Sequence, residues 1–201
     1  MVICALNAPN YVNSDIYYVW ATENATAIYL NGSSTPITTI DKGNYYQGVL
    51  SSNSVCITTS HPAYVLQFTG TGKEVAETSL PSTKCTGSNE VSFVRSTTEN
   101  FYLNIICKKA DVDFFTMNGV ANVINASLFE AVPGTTDWMA ARISINNLPN
   151  LNSLVLANQA TTIINSNGLF HLGFLNGGNV SGSRLGYFSN YSKVNMAPNL
   201  T

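Results

Sequence analysis

DIYYVWATENATAIYLNG, residues 15–32, decides how the rest of the chain is read. It opens with DIYYVW, a short run rich in aromatic and β-branched residues. A polar break, ATENA, follows, then a second such run, TAIYL, and then Asn31-Gly32. Short runs of this composition bounded by turn formers predict β-strands. Asn-Gly supplies the positive φ angles of a type I′ hairpin turn.

The pattern continues outward. PITTI (36–40), YYQGVL (45–50), SVCITT (54–59) and AYVLQF (63–68) complete the first half. VSFVR (91–95), FYLNIIC (101–107), VDFFTM (112–117), MAARISI (139–145), SLVLA (153–157), TTIIN (161–165), LFHLGFL (169–175) and RLGYF (184–188) fill the second. Asn118-Gly119, Asn167-Gly168 and Asn176-Gly177 are further turn signals. No window of about 11 residues or more keeps apolar positions at helical spacing. The fold class predicted is all-β, built from antiparallel sandwiches of Ig-like or jelly-roll-like kind with little or no helix.

An internal echo sets the organisation. YVWATEN (18–24) and FVRSTTEN (93–100) each run from aromatic-Val to Glu-Asn, and each is followed by a strand and then by Asn-Gly. Two tandem sandwich modules are predicted, residues 1–72 and 91–195. The Gly-, Ser- and Thr-rich segment 73–90 is expected as a linker, and 196–201 as a disordered tail.

Composition narrows the partners. Charged residues make up 10% of the 201 positions, against roughly 25% in an average soluble domain. Ser, Thr and Asn supply the polarity instead, as is common in proteins outside cells. Net charge is −2, and the nine Lys and Arg residues are scattered, so no basic stripe suits a phosphate backbone or an anionic membrane. No apolar run approaches the ~18 residues of a membrane span. The expectation is an extracellular or cell-surface segment of a larger multidomain chain, with no nucleic-acid partner and no membrane insertion of its own.

Four cysteines, Cys4, Cys56, Cys85 and Cys107, include no CxxC pair. Their even number favours disulfides, and Cys4–Cys56 with Cys85–Cys107 keeps each bridge within one half of the chain. Buried free thiols are the alternative.

The stretch GLFHLGFLNGGNVSGSRLGYFSNYS (168–192) invites a catalytic interpretation that its spacing rejects. No Lys follows its glycines as a phosphate-binding loop requires, and no helix pattern follows Gly182. His171 sits inside a strand, where a structural role is the commoner one, and no GxSxG elbow is present. Asp111 and Asp113 fall on one face of the expected strand. They could hold Ca²⁺ with loop oxygens or form a plain solvated edge; no other cofactor is expected. Aromatic pairs are more informative. Tyr17-Tyr18 and Tyr45-Tyr46 must each point to opposite faces of a strand, one ring inward and one out.

YVWATENATAIYLNG, with Gly43-Asn44-Tyr45-Tyr46 and Ile57-Thr58-Thr59 leading to Pro62 and Val65, resembles the domain named after the N-terminal region of IgG Fc-binding protein. LPSTKCTGSNEVSFVRS (80–96), VPGTTDWMAARISI (132–145) and 168–192 extend the resemblance over nearly the whole chain. One departure is Ser183, where members of that family often carry Cys. The resemblance implies a secreted or surface-displayed, non-catalytic module of a large adhesive protein; it transfers no antibody contact to particular positions. The function expected is adhesion or recognition of a glycan or cell-surface protein. Tyr18, Trp20, Tyr46, Trp138, Arg184 and Tyr187 are the expected ligand-binding residues, with Arg95 and Arg142 as further polar contacts. A structural spacer in a surface stalk is the alternative. A carbohydrate-active hydrolase stands behind both, since it needs two carboxylates facing each other ~5 to 9.5 Å apart.

Overall fold

A computed structural model describes residues 2–6, 15–71, 74–84, 86–178 and 182–188. The first half contributes β1 (Val2–Leu6), β2 (Ile16–Ala21), β3 (Thr26–Leu30), β4 (Thr38–Ile40), β5 (Tyr45–Val49), β6 (Ser54–Thr59), β7 (Ala63–Thr71) and β8 (Glu74–Ser79). The second contributes β9 (Glu90–Val94), β10 (Phe101–Lys108), β11 (Phe115–Met117), β12 (Val120–Ala121), β13 (Phe129–Ala131), β14 (Trp138–Ile143), β15 (Ala160–Asn165), β16 (Phe170–Gly178) and β17 (Gly182–Phe188). They form four antiparallel sheets, ordered β1-β6-β3-β4, β5-β2-β7-β8, β13-β14-β10-β16-β17 and β12-β11-β15-β9. The fold is all-β, and among the described residues no helix is long and apolar enough to cross a membrane.

The first two sheets enclose one core. Tyr17 and Val19 of β2 and Val65 of β7 meet Ile28, Val55 and Ile57 from β3 and β6. The other two enclose a second core, where Phe101, Leu103, Ile105 and Cys107 of β10 face Phe93, Phe115, Met117 and Ile163. Each aliphatic side chain sealed there stabilises the fold by about 1.5–3 kcal/mol. A smaller seam joins the two sandwiches. Cys56, on the face of β6 turned away from its own core, packs with Ile106, Val132 and Ala140, and Trp138 closes against them. Asn53 donates from Nδ2 to Glu130 Oε2 across the junction at 3.1 Å. The Asn31-Gly32 turn lies against Gly134, whose φ is +70°; a Cβ added to Gly134 would stand 1.9 Å from the Asn31 carbonyl carbon. β10 is therefore buried on both faces, which explains why FYLNIIC reads as a nearly continuous apolar run.

The Asn-Gly turns show what the internal echo encodes. Asn31 and Asn118 both have φ of 51°, followed by Gly32 at 73° and Gly119 at 77°. In each, the Asn N–H donates to the carbonyl of a neighbouring strand residue, and the Asn Oδ1 accepts from the same residue's N–H. The partners are Cys56 for Asn31 and Thr162 for Asn118. Each turn thus adds one rung to its sheet. The echo stops at the facing of the strands. Tyr18 points away from its core, while Phe93 at the matching position lies inside its own.

Four expectations change. Residues 74–79 of the expected linker form β8, paired with β7, because alternating Val75-Ala76-Glu77-Thr78 continues that sheet. SLVLA (153–157) is not a strand: Leu151 and Val155, four apart and both sealed from solvent, lie on one side of a single helical turn, α1 (Leu151–Leu154). Asn176-Gly177 is not a turn but part of β16. Asp111 and Asp113 do not share a strand face, since β11 begins only at Phe115. Asp111 is buried in a short 3₁₀ turn and accepts from Asn167 Nδ2 at 2.7 Å, while Asp113 is exposed. The tail, residues 196–201, lies outside the described residues.

Asn176 occupies a former turn position and is fully buried. Its Oδ1 accepts from the backbone N–H groups of Ser96 and Thr97, and its Nδ2 donates to the Asn100 carbonyl at 3.0 Å. This one amide shapes the Ser96–Asn100 connection between the two sheets of the second sandwich. Asn176→Ala strands several backbone groups at once and should lower stability by about 2–4 kcal/mol in urea denaturation. An unchanged midpoint would contradict that role.

Candidate functional site

The site begins with the two-residue period of a strand. On β2, Tyr17, Val19 and Ala21 enter the core, so Ile16, Tyr18 and Trp20 face outward. β2 is flanked by β5 and β7, and register extends the outward rows. Trp20 lies between Tyr45 and Tyr64; Tyr18 lies between Gln47 and Leu66; Ile16 lies between Val49 and Phe68. On β8 the rows end in Ser79 and Glu77, opposite Leu66 and Phe68.

The rings form one connected group. Tyr18 stacks on Trp20 with centroids 5.3 Å apart and planes 27° apart. Tyr45 meets both, at 5.4 Å from Tyr18 and 5.3 Å from Trp20, and Phe68 meets Tyr18 edge-on at 5.2 Å. Such contacts add ≈ 0.5–1.5 kcal/mol each beyond buried area, so the rings hold one another in place. Tyr18 Oη donates to Gln47 Oε1 at 3.0 Å and fixes its ring further. Even so, Tyr45 keeps 55% of its surface exposed and Tyr64 67%. Between Trp20, Tyr64, Leu66 and Ser79 lies an open apolar recess of about 460 Å³.

Of the expected site residues, Tyr18 and Trp20 come together here. Tyr46 does not. It turns inward and packs on Tyr17, ring centroids 6.2 Å apart, and its neighbour Tyr45 takes the outward place. The YY pair signalled that one ring would be outward; only the registry of β5 against β2 says which. Gly48 permits this inner packing, because a Cβ there would meet the Tyr17 ring at 2.2 Å. Tyr64 and Leu66 complete the face from alternate positions of β7, a spacing that AYVLQF carries in its sequence.

Trp138 lies elsewhere, at the seam, between Lys108 Nζ 4.1 Å from its ring centroid and His171 at 6.2 Å. Arg184 and Tyr187 lie on β17 opposite Asn176 and Gly173; their side chains are outside the described part of the structure. Arg95 is buried and structural. It donates to the carbonyls of Thr98, Glu99 and Val155 and to Asn152 Oδ1, and burial lowers the pKa of its guanidinium. Arg142 is also lowered by burial, while Glu130 and Asp15 oppose that shift; Asp15, from the first sandwich, accepts from Gln67 and Thr69. Cys107 is buried on β10, and burial, with Asp111 nearby, pushes its thiol pKa up to about 12; its expected partner Cys85 lies outside the described residues.

The motif residues behind the family resemblance are architectural. Thr22 Oγ1 donates to the Pro62 carbonyl, Asn24 Oδ1 accepts from Lys42 N–H, and Asp41 Oδ1 accepts from Ala25 N–H. They knit the loop between β2 and β3 to the turns before β5 and β7, at the edge of the sheet that carries the rings.

What the outward face offers is flat, rigid, mostly apolar area edged by phenol hydroxyls and amides. Among the described side chains of this face, Glu77 carries the one charge.

A family model described as IgGFc binding protein matches residues 4–175. No curated protein matches the chain, and no solved structure does.

His171 provides a pH test of the neighbouring seam. Buried at 2% exposure, its pKa falls from 6.5 to about 4. Between those values the unfolded chain binds a proton that the folded chain refuses. Stability contributed by the neutral imidazole is thus complete above pH 6.5 and drains away as pH falls to about 4, by about 3 kcal/mol. His171→Gln should flatten the stability profile in that window, measured by urea melts; a slope equal to wild type would contradict the assignment.

Proposed function

The chain belongs to the IgGFc binding protein family, and from that membership we propose that it is a non-catalytic recognition module that binds a neutral glycan through the outer face of β5-β2-β7-β8. The family is one of binding domains rather than of known enzymes, and its members are typically found in extracellular proteins.

The observation that carries the proposal is the prestacked group Tyr18, Trp20 and Tyr45, in which Tyr18 and Trp20 are half-buried while Tyr45 and the adjacent Tyr64 are exposed. Sugar rings present a flat C–H face that lies on aromatic planes, and hydroxyls at their rim suit the phenols and Gln47. Rings already held by one another lose little freedom on binding. The near absence of charge favours an uncharged ligand over an ionic one. A cell-surface protein would meet the same rings but would need a wider contact, of roughly 800 Å² per partner. The spacer alternative draws on the seam, which joins the sandwiches through packed side chains and backbone contact.

Screening on an array of neutral oligosaccharides, followed by calorimetry, separates these outcomes. Trp20→Ala and Tyr45→Ala should each weaken binding at least about tenfold, a change of about 1.4 kcal/mol, while Trp138→Phe leaves it intact. Affinity indifferent to Trp20 and Tyr45 would overturn the proposed face. A stable protein that binds no glycan would favour the spacer.

A further inference from the structure

The register of β1 against β6 places Cys4 directly opposite Cys56. In an antiparallel pair, opposed residues alternate between those that exchange both hydrogen bonds and those that exchange none, and the second kind lie closer. Cys56 shows which kind this is. Its carbonyl accepts from Asn31 N–H at 2.8 Å, and its N–H donates to Asn31 Oδ1 at 3.0 Å. Both backbone groups of Cys56 therefore point toward β3, away from β1. Cys4 and Cys56 form a non-hydrogen-bonded pair, whose Cα separation of about 4.5 Å falls in the range a disulfide spans.

We propose that Cys4 and Cys56 form a cross-strand disulfide that staples β1 to the seam between the sandwiches. Cys56 is 3% exposed and packs there with Ile106, Val132 and Ala140. Bond formation consumes an external disulfide of the glutathione class. One cysteine thiolate attacks it and releases one thiol. The second thiolate then displaces the other half, so two protons and two electrons leave the protein and the external disulfide becomes two thiols. The typical extracellular setting of the family is one in which such a bond persists. The bond closes a long loop containing β2, β3, β4 and β5, so its effect reaches the aromatic face through the stability of the first sandwich. It does not depend on the ligand proposed for that face.

The test is peptide mapping of the full chain after equilibration with oxidised glutathione, denaturation in N-ethylmaleimide and tryptic digestion without reductant. Lys42 separates the two cysteines into different peptides. The expected result is a Cys4 peptide linked to the Cys56 peptide, with Cys107 carrying maleimide. Reduction should lower Tm by about 5–15 °C. Cys56→Ser should remove the linked species and respond to reductant with no Tm change. Maleimide on Cys4 and Cys56 in the wild-type chain, or either residue linked to a different cysteine, would overturn the proposal.

Discussion

A β-strand must send successive side chains to opposite faces, and β2 puts that constraint to two uses at once. IYYVWA alternates so that Tyr17, Val19 and Ala21 close a core while Ile16, Tyr18 and Trp20 look outward. Slipping the register by one residue would bury Trp20 and expose Val19, losing core and face together. Because β2 pairs with both β5 and β7, its registry dictates which residues of those strands stand beside Trp20. Tyr45 and Tyr64 are outward for that reason and for no other. Every functional statement about the rings rests on this one alternation, secured by the apolar packing beneath it.

Among the described residues, the aromatic stacks of the second sandwich lie in its core. Its central strand, β10, is covered on both sides: by its own core through Leu103 and Ile105, and by the seam through Ile106. Polar groups caught near the junction are compensated. Asp15 takes hydrogen bonds from Gln67 and Thr69, and Arg142 lies within the influence of Asp15 and Glu130. Close approach of Gly134 to the Asn31-Gly32 turn leaves no room for a side chain there. The two halves are thus held by apolar area, backbone fit and charge, although their lengths of chain fold around separate cores.

Much of this was legible in the chain because strand composition and Asn-Gly turns are local signals. The all-β class, most strands and the turns at Asn31-Gly32 and Asn118-Gly119 follow from a few neighbouring residues. What escaped depends on partners far away in sequence. LFHLGFLNGG runs through an Asn-Gly pair without turning because Asn176 is claimed by the Ser96–Asn100 connection. Val75 and Glu77 look like linker until β7 lies beside them. Tyr45 and Tyr46 are indistinguishable by composition, and only pairing with β2 makes one of them a surface ring. Cys107 is marked by count as a disulfide candidate, while its place in the interior follows from the pairing of β10 with β14 and β16. Both outward rings of β2, Tyr18 and Trp20, could be named in advance; their companions Tyr45 and Tyr64 could not.

The central claim is that ligand meets the outer rings of the first sandwich and leaves the seam untouched. The chain's two tryptophans, Trp20 on that face and Trp138 at the junction, provide both probe and internal reference. Titration of the ¹⁵N-labelled protein with a bound neutral oligosaccharide, followed through the two indole N–H resonances, addresses the claim directly. The account predicts a saturable shift of the Trp20 signal with Trp138 stationary. A shift confined to Trp138, with Trp20 unmoved at saturation, would contradict it.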